Sequence, residues 1–333
     1  MKKITLLSIL LIIAFFVHAQ RSNSSHSIVV SMGTNHYMGD LGGGKKEAAH
    51  FMGIRDLDYQ VTRPTWQVAY RYKFPGKKYK SLKYFAVRTN FSYALLSGKD
   101  AASGHFSRLS RNLSFRSSVF ELSGQLEYYF ISEKASPRHA FTSLKGTRNI
   151  SAYLFLGFGG IYFNPKAKDD GGSWVKLHDI GTEGQLTPNF EYPNPFYHPE
   201  NDPVETLTTP EQYKRVAIAV SMGIGMKYNI NRQWAVGLEL SNRYTSTDYI
   251  DDVHDRYFNY ADFGGTNNPI SDRHLSVDYE SHTVGEPASQ YNSGKSMRGN
   301  PDYNDAYILA LVTLYVRLKK NNRIGPPKFG GRH

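Results

Sequence analysis

Apolar and polar side chains alternate residue by residue along several segments of this chain, and the connections between segments are by turns short and long. Val216, Ile218, Val220, Met222, Ile224 and Met226 form one row, with Ala217, Ala219, Ser221, Gly223 and Gly225 between them. Phe120, Leu122, Leu126, Tyr128 and Phe130 likewise oppose Glu121, Ser123, Gln125 and Glu127. Trp234, Val236, Leu238 and Leu240 oppose Glu239, Ser241 and Arg243. Strand side chains point to opposite faces with period two, so each segment reads as a strand with one apolar wall. Eight such strands are expected, near Ser27–Met38, Thr62–Lys73, Leu82–Leu96, Ser114–Ile131, Ile150–Asn164, Tyr213–Ile230, Gln233–Tyr249 and Asp305–Lys319. The first and fifth are apolar or small on both faces, which leaves their orientation open.

The connections at Pro75–Lys78 and Asn229–Arg232 are short, and that at 132–148 is moderate. Those near 39–61, 97–113, 165–212 and 250–304 are mostly longer and rich in Gly, Asn, Asp and Pro. Bacterial membrane barrels keep short turns in the periplasm and long loops outside. The pattern therefore predicts an all-β fold: an eight-stranded antiparallel transmembrane outer-membrane β-barrel with both termini in the periplasm. A soluble sandwich also alternates, but its connections are more uniform and its sheets keep a solvated face.

Export agrees with this reading. Residues 1–20 carry two lysines, an apolar run over Ile4–Val17, and Val17-His18-Ala19 before Gln20, the order of a cleavable signal peptide. The expected division is signal peptide 1–19, barrel 20–319 and basic periplasmic tail 320–333. No later apolar run reaches the roughly 18–20 residues of a membrane helix. The chain has no cysteine, so no disulfide or lipid-modified cysteine is expected. Its 24 tyrosines suit the aromatic girdles of a barrel.

The formal charge is +11, which could suggest nucleic acid, but an exported chain with segregated charge argues against that partner. In the two longest loops acidic residues outnumber basic ones, whereas the short-turn side is basic. Lys77, Lys78, Lys80 and Lys83, then Lys134, Arg138, Lys145 and Arg148, then Lys319, Lys320, Arg323, Lys328 and Arg332 make a positive rim there. Such a rim would meet anionic headgroups or dock a periplasmic partner; Lys77, Lys78, Lys80, Lys134, Arg138, Lys319, Lys320 and Arg323 are the candidates for docking.

Arg71, Lys73, Arg88, Glu121, Gln125, Glu127, Lys227, Glu239 and Arg243 are expected to point inward. An eight-stranded lumen is narrow enough for side chains to fill, and charges inside it should pair, giving a polar plug before an ion path. At the loop end, Asp40, Asp248, Asp251 and Asp252 are candidate mouth carboxylates, and Asp252-Val253-His254 resembles the aspartate–histidine pairing of omptin proteases. The second aspartate pair and ten strands of that family are lacking, so turn capping by aspartate side chains is the favoured account. The carboxylates lack the Gly and terminal Glu of an EF-hand loop. Gly42-Gly43-Gly44-Lys45-Lys46 lacks the spacing and Ser/Thr of a phosphate loop. The chain reads as a non-enzyme with no cofactor and no metal.

A family resemblance follows from these segments. Gly33-Thr34, Tyr37–Leu41, Arg63-Pro64, Tyr70-Arg71-Tyr72, Arg111–Phe115, Glu127–Phe130, Phe158–Ala167, Gly181–Gln185, Gly237–Leu240, Arg243–Val253 and Arg298–Pro301 occur in this order. Together they resemble the PorG-type (DUF6089-like) outer-membrane proteins of the Bacteroidetes type IX secretion system. The chain departs in its basic tail, Lys319–His333, where an aromatic-ended last strand is the usual close. The resemblance implies a structural role at the outer membrane, anchoring or contacting the periplasmic ring lipoprotein and its ring partner, amid lipids and lipopolysaccharide. The alternative is a small barrel that binds or admits a small hydrophobic solute.

Overall fold

The computed structural model describes residues 25–42, 61–75, 78–102, 113–132, 149–169, 171–193, 206–231, 233–255, 258 and 298–318. The expected signal peptide and basic tail lie outside them. Twelve strands are formed among these residues: β1 (His26–Met38), β2 (Arg63–Lys73), β3 (Phe85–Lys99), β4 (Ser114–Ile131), β5 (Ile150–Tyr162), β6 (Pro165–Lys168), β7 (Trp174–Lys176), β8 (Glu191–Pro193), β9 (Thr206–Thr208), β10 (Val216–Asn229), β11 (Trp234–Thr245) and β12 (Ala306–Arg317). Eight long strands pair antiparallel in the order β3-β2-β1-β12-β11-β10-β5-β4, and β3 pairs with β4 to close the cylinder. Closure leaves these strands no free edge.

Period-two alternation then decides what faces where. Met32, Phe91, Leu122, Phe158, Ile218, Leu238 and Val312 stand on the outer wall, each more than half exposed. So large an apolar surface does not belong in water; it is the lipid-facing band of an outer-membrane barrel. The orientation that the sequence left open is settled by packing. In β1, Ser27, Val29, Ser31 and Asn35 turn inward while Val30 and Met32 turn out. In β5, Ser151, Tyr153, Phe155 and Ile161 turn inward. Small residues face these rings: a Cβ at Gly225 would lie 2.3 Å from the Tyr153 ring, and one at Gly223 2.6 Å from Phe155.

Several boundaries differ from expectation for physical reasons. β10 begins at Val216 and β11 ends at Thr245, because Tyr213 and Tyr249 leave the wall and stack on each other at 4.3 Å. The connection after β2 runs to Tyr84, because turns closed by Tyr79 N on Pro75 O and Leu82 N on Tyr79 O delay β3 to Phe85. β12 begins at Ala306, since the Asp305 carboxylate folds inward to accept Ile250 N at 2.8 Å. At the long-loop end β6 pairs with β4 and with β7, extending the wall past β5. β8 and β9 form a separate hairpin. None of these four short strands shows an alternation long enough to read in sequence.

Candidate functional site

The lumen is crossed by two polar rungs. In the lower one, Arg71 Nε lies 2.7 Å from Glu127 Oε2, and Arg88 Nε 3.4 Å from Glu127 Oε1. Arg88 also donates to both oxygens of Glu239, at 2.5 and 3.0 Å, and to Gln125 Oε1 at 2.6 Å. Tyr153 and Tyr315 donate their hydroxyls to Glu239 Oε1, at 2.5 and 2.9 Å. The Lys227 ammonium is buried 5.6 Å from the Tyr129 ring centre and 5.5 Å from that of Tyr315. Such buried charges hold together only because each has a partner; one removed alone would leave a costly unpaired ion.

The upper rung is Arg243 Nε on Glu121 Oε2 at 3.1 Å, with Tyr307 donating to the same oxygen at 3.2 Å. Ser31, Asn90, Ser123, Ser241 and Thr313 line the lumen wall as small buried polar residues. Lys73 is half-buried and stands over the Tyr129 ring at 4.7 Å. Of the eight charged residues expected to point inward, all but the half-buried Lys73 are buried inside, where they meet one another or the lumen tyrosines in these rungs. The tyrosines are the surprise. Tyr37, Tyr129, Tyr153, Tyr307 and Tyr315 are buried in the lumen, not set in the girdles to which composition assigned them.

Above the upper rung, loop segments close the barrel mouth as a cap. Asp251 accepts Leu41 N at 3.1 Å and Val253 N at 2.9 Å. Asp40 accepts Asn300 N at 2.9 Å. Asp305 is bonded by the Tyr37 hydroxyl as well as by Ile250 N. Asp100, in the 3-10 turn after β3, accepts Gly42 N and Leu113 N and so ties two loops. Asp252 turns through a positive φ of 70°, a conformation aspartate tolerates in turns. It takes hydroxyls from Thr182 at 2.5 Å and Tyr213 at 2.6 Å, and Arg298 lies 3.5 Å away.

Arg298 is the central cation of this cap, 2.9 Å from Glu183 Oε1 and 2.8 Å from Thr182 Oγ1. Glu183 also accepts His254 N at 2.9 Å. Asp252 and His254, whose spacing resembles the omptin pairing, are not bonded to each other. His254 Nδ1 instead lies 2.9 Å from Asp248, because Asp252 is turned toward Thr182 and Tyr213. Asp40, Asp248, Asp251 and Asp252 are thus buried structural groups, not open mouth carboxylates. Capping of Val253 N by Asp251 is the turn reading made from sequence, now one bond among many.

Burial, with neighbouring carboxylates adding to it, raises proton affinity here. Burial first, then the neighbouring Asp252 charge, lifts Glu183 to about 7 although Arg298 opposes the shift. Burial and the charges of Asp305, Asp40 and Asp251 hold Asp248 well above the usual carboxylate range. Asp252 and Asp305 are also raised, chiefly by burial. Burial lowers His254, favouring its neutral ring. The cap carboxyls therefore hold protons more readily than exposed ones would. Among the described residues, no group of three or more His, Asp or Glu side chains is placed to hold a metal ion.

Beside the cap a shallow cleft of about 20 Å³, room for a water or two, lies between Leu41, Leu113, Ala167 and Leu177, with Ser114, Thr182, Asp251 and Arg298 on its polar side. Of the expected docking rim, Lys78 and Lys80 are exposed at the short-connection end. Lys77, Lys134, Arg138, Lys319, Lys320 and Arg323 lie outside the described residues. Glu183, Arg298, Thr182 and Asp305 were not singled out from sequence, though the first three stand in the Gly181–Gln185 and Arg298–Pro301 stretches that carry the resemblance.

A family model described as "Domain of unknown function (DUF6089)" matches residues 174–274. The matched segment holds Gly181–Gln185, Gly237–Leu240 and Arg243–Val253. No curated protein matches the chain. Among solved structures it is similar to Neisserial surface protein A, at 8% identity and TM-score 0.35, covering 89% of this chain and 98% of that one. Ail of Yersinia pestis, in complex with a heparin analogue, aligns at 9% identity and TM-score 0.33, covering 88% and 99%. OprG from Pseudomonas aeruginosa aligns at 7% identity and TM-score 0.33, covering 90% and 99%.

Proposed function

We propose that this chain acts by binding at the loop end of a sealed outer-membrane barrel, not by conducting through it. The observation that carries the reading is Arg88, which joins Glu127 and Glu239 across the lumen. With the second rung above it and the cap above that, a solute has no straight path, so an interaction at an end is what the fold offers. The shallow cleft beside the cap is where a small hydrophobic solute would enter: Leu41, Leu113, Ala167 and Leu177 offer its apolar body a wall, once the loops that carry them part to widen it. A saturable titration of the purified barrel with octanoate, followed by calorimetry, tests this. Binding abolished by Leu177→Trp supports the reading; no binding to the native chain at millimolar octanoate contradicts it.

A second reading is anchoring of the type IX secretion ring. It draws on the family match over residues 174–274 and on the exposed lysines Lys78, Lys80 and Lys83 of the connection between β2 and β3. A periplasmic ring lipoprotein and its ring partner would dock against this basic rim, helped by Lys77, Lys134, Arg138, Lys319, Lys320 and Arg323. Cross-linking in the native envelope, followed by affinity purification, should recover both partners. Charge reversal at Lys77, Lys78, Lys319 and Lys320 should lose them; retention through that change would overturn the docking.

A further inference from the structure

We propose that the outward face of the β4–β6–β7 extension binds the phosphate groups of a lipopolysaccharide headgroup. The proposal rests on the outer-membrane reading, with the long-loop end facing the outer leaflet. Arg116 on β4 is in register with Lys166 on β6, and Lys166 with Lys176 on β7. Residues opposite one another project on the same face, so three cations stand in a row across three strands, roughly 4.8 Å apart per strand. Like charges directly opposite are destabilising in a sheet. The arrangement is relieved by an anion that bridges the row.

The surroundings sharpen the fit. Lys168 is paired with Trp174 in the next register position. The Trp174 ring centre lies 4.5 Å from Arg116 Cζ and 5.7 Å from Lys168 Nζ, so the indole supports Arg116 of the row and Lys168 beside it. The buried Nε of Arg116 has no hydrogen-bond partner among the described residues. Two carboxylates lie near the row. Asp169 is engaged with Ser173 N at 2.6 Å in the β6–β7 turn, and Asp179 meets only the end of the row, 3.8 Å from Lys176. The opposite face of the extension is apolar: Ala167, Leu177 and Ile180 pack as a cluster with Val175 against it.

Position along the barrel selects the ligand. Phe120 faces outward on β4, packed against Tyr93 at 4.9 Å and in register with Tyr162. Arg215 Cζ lies 5.7 Å over that Tyr162 ring. Outward aromatics mark the membrane interface. Arg116 is four residues nearer the loop end on the same face, about 13 Å farther along at strand rise. The basic row therefore stands at headgroup height on the lipid-facing side. A guanidinium there offers two-point contact to a phosphate, and lysines add point charges.

The test is native mass spectrometry of the purified full-length barrel with bisphosphorylated lipid A, with its dephosphorylated form, and with phosphatidylglycerol. Folding of each variant is verified by the mobility shift on heating in SDS. Lipid A should bind most tightly, and Lys166→Gln with Lys176→Gln should weaken it by about tenfold or more. Arg116→Lys, which keeps the charge but not the two-point contact, should show a smaller loss. Equal affinity for the dephosphorylated lipid, for phosphatidylglycerol, or for the folded double variant overturns the proposal. None of these outcomes depends on octanoate or on the ring partners.

Discussion

Glu239 on β11 takes both terminal nitrogens of Arg88 on β3, at 2.5 and 3.0 Å, and the two strands lie on opposite walls of the closed sheet. A two-point guanidinium–carboxylate bond fixes orientation as well as distance. It acts as a strut across the cylinder, and Glu127 and Gln125 brace its arginine from a third strand.

Removing one end of that strut should cost more than removing both. Arg88→Met leaves Glu239 buried without its cation, and about 3–5 kcal/mol of stability should be lost. Arg88→Met combined with Glu239→Leu should recover most of it, since an apolar pair of similar volume is often neutral. Urea unfolding in lipid vesicles measures both. A loss in the double variant equal to the sum of the losses from Arg88→Met and Glu239→Leu alone would mean that the strut is not coupled.

The lumen tyrosines should behave as donors, not as girdle residues. Tyr153→Phe removes a hydroxyl bond to Glu239 at 2.5 Å, and a hydrogen bond to a charged group contributes about 1.5–3 kcal/mol. Tyr128→Phe, on the exposed outer face of the neighbouring strand, should change unfolding by less than about 0.5 kcal/mol.

The strands were legible because period two survives in β4, β10 and β11 over many residues, and because connection lengths alternate. The inward set of Arg71, Arg88, Glu121, Glu127, Lys227, Glu239 and Arg243 was legible for the same reason. Tyr153 and Tyr315 were not, since a tyrosine serves equally on a lipid-facing wall and, given a carboxylate partner, inside one. The cap was less legible still. Glu183 and Arg298 lie 115 residues apart, in loops whose sequence carries no periodicity, and only the folded barrel brings them within 2.9 Å. Asp252 and His254, two residues apart, point to different partners because the backbone turns left-handed at Asp252.

Acidity should tighten the cap. Glu183 titrates near 7 when folded, above its ordinary 4.5. A carboxyl raised by folding contributes most below its unfolded value, and that contribution is lost as pH rises through the folded one. Exchange of the Leu41, Val253 and His254 amides should therefore be slower at pH 5 than at pH 8. Glu183→Gln should flatten the dependence between 4.5 and 7. Exchange as slow in native protein at pH 8 as at pH 5, with base catalysis allowed for, would contradict this.

Arg298→Ala should loosen the cap while leaving the wall intact. Glu183 and Asp252 lose their shared cation, so limited proteolysis within 177–185 and 246–255 should accelerate at pH 8. Lowering the pH to 5 should narrow the difference from the native chain, because protonated carboxyls no longer need the cation. The mobility shift on heating should persist, since no wall strand supplies Arg298.

Single-channel recording in planar bilayers tests the sealed lumen most directly. The purified chain should show no discrete conductance steps in molar salt, because Arg88, Glu127, Glu239, Arg243 and Glu121 span the bore and the cap closes its mouth. Steady, reproducible unitary steps from the folded native protein would contradict the account.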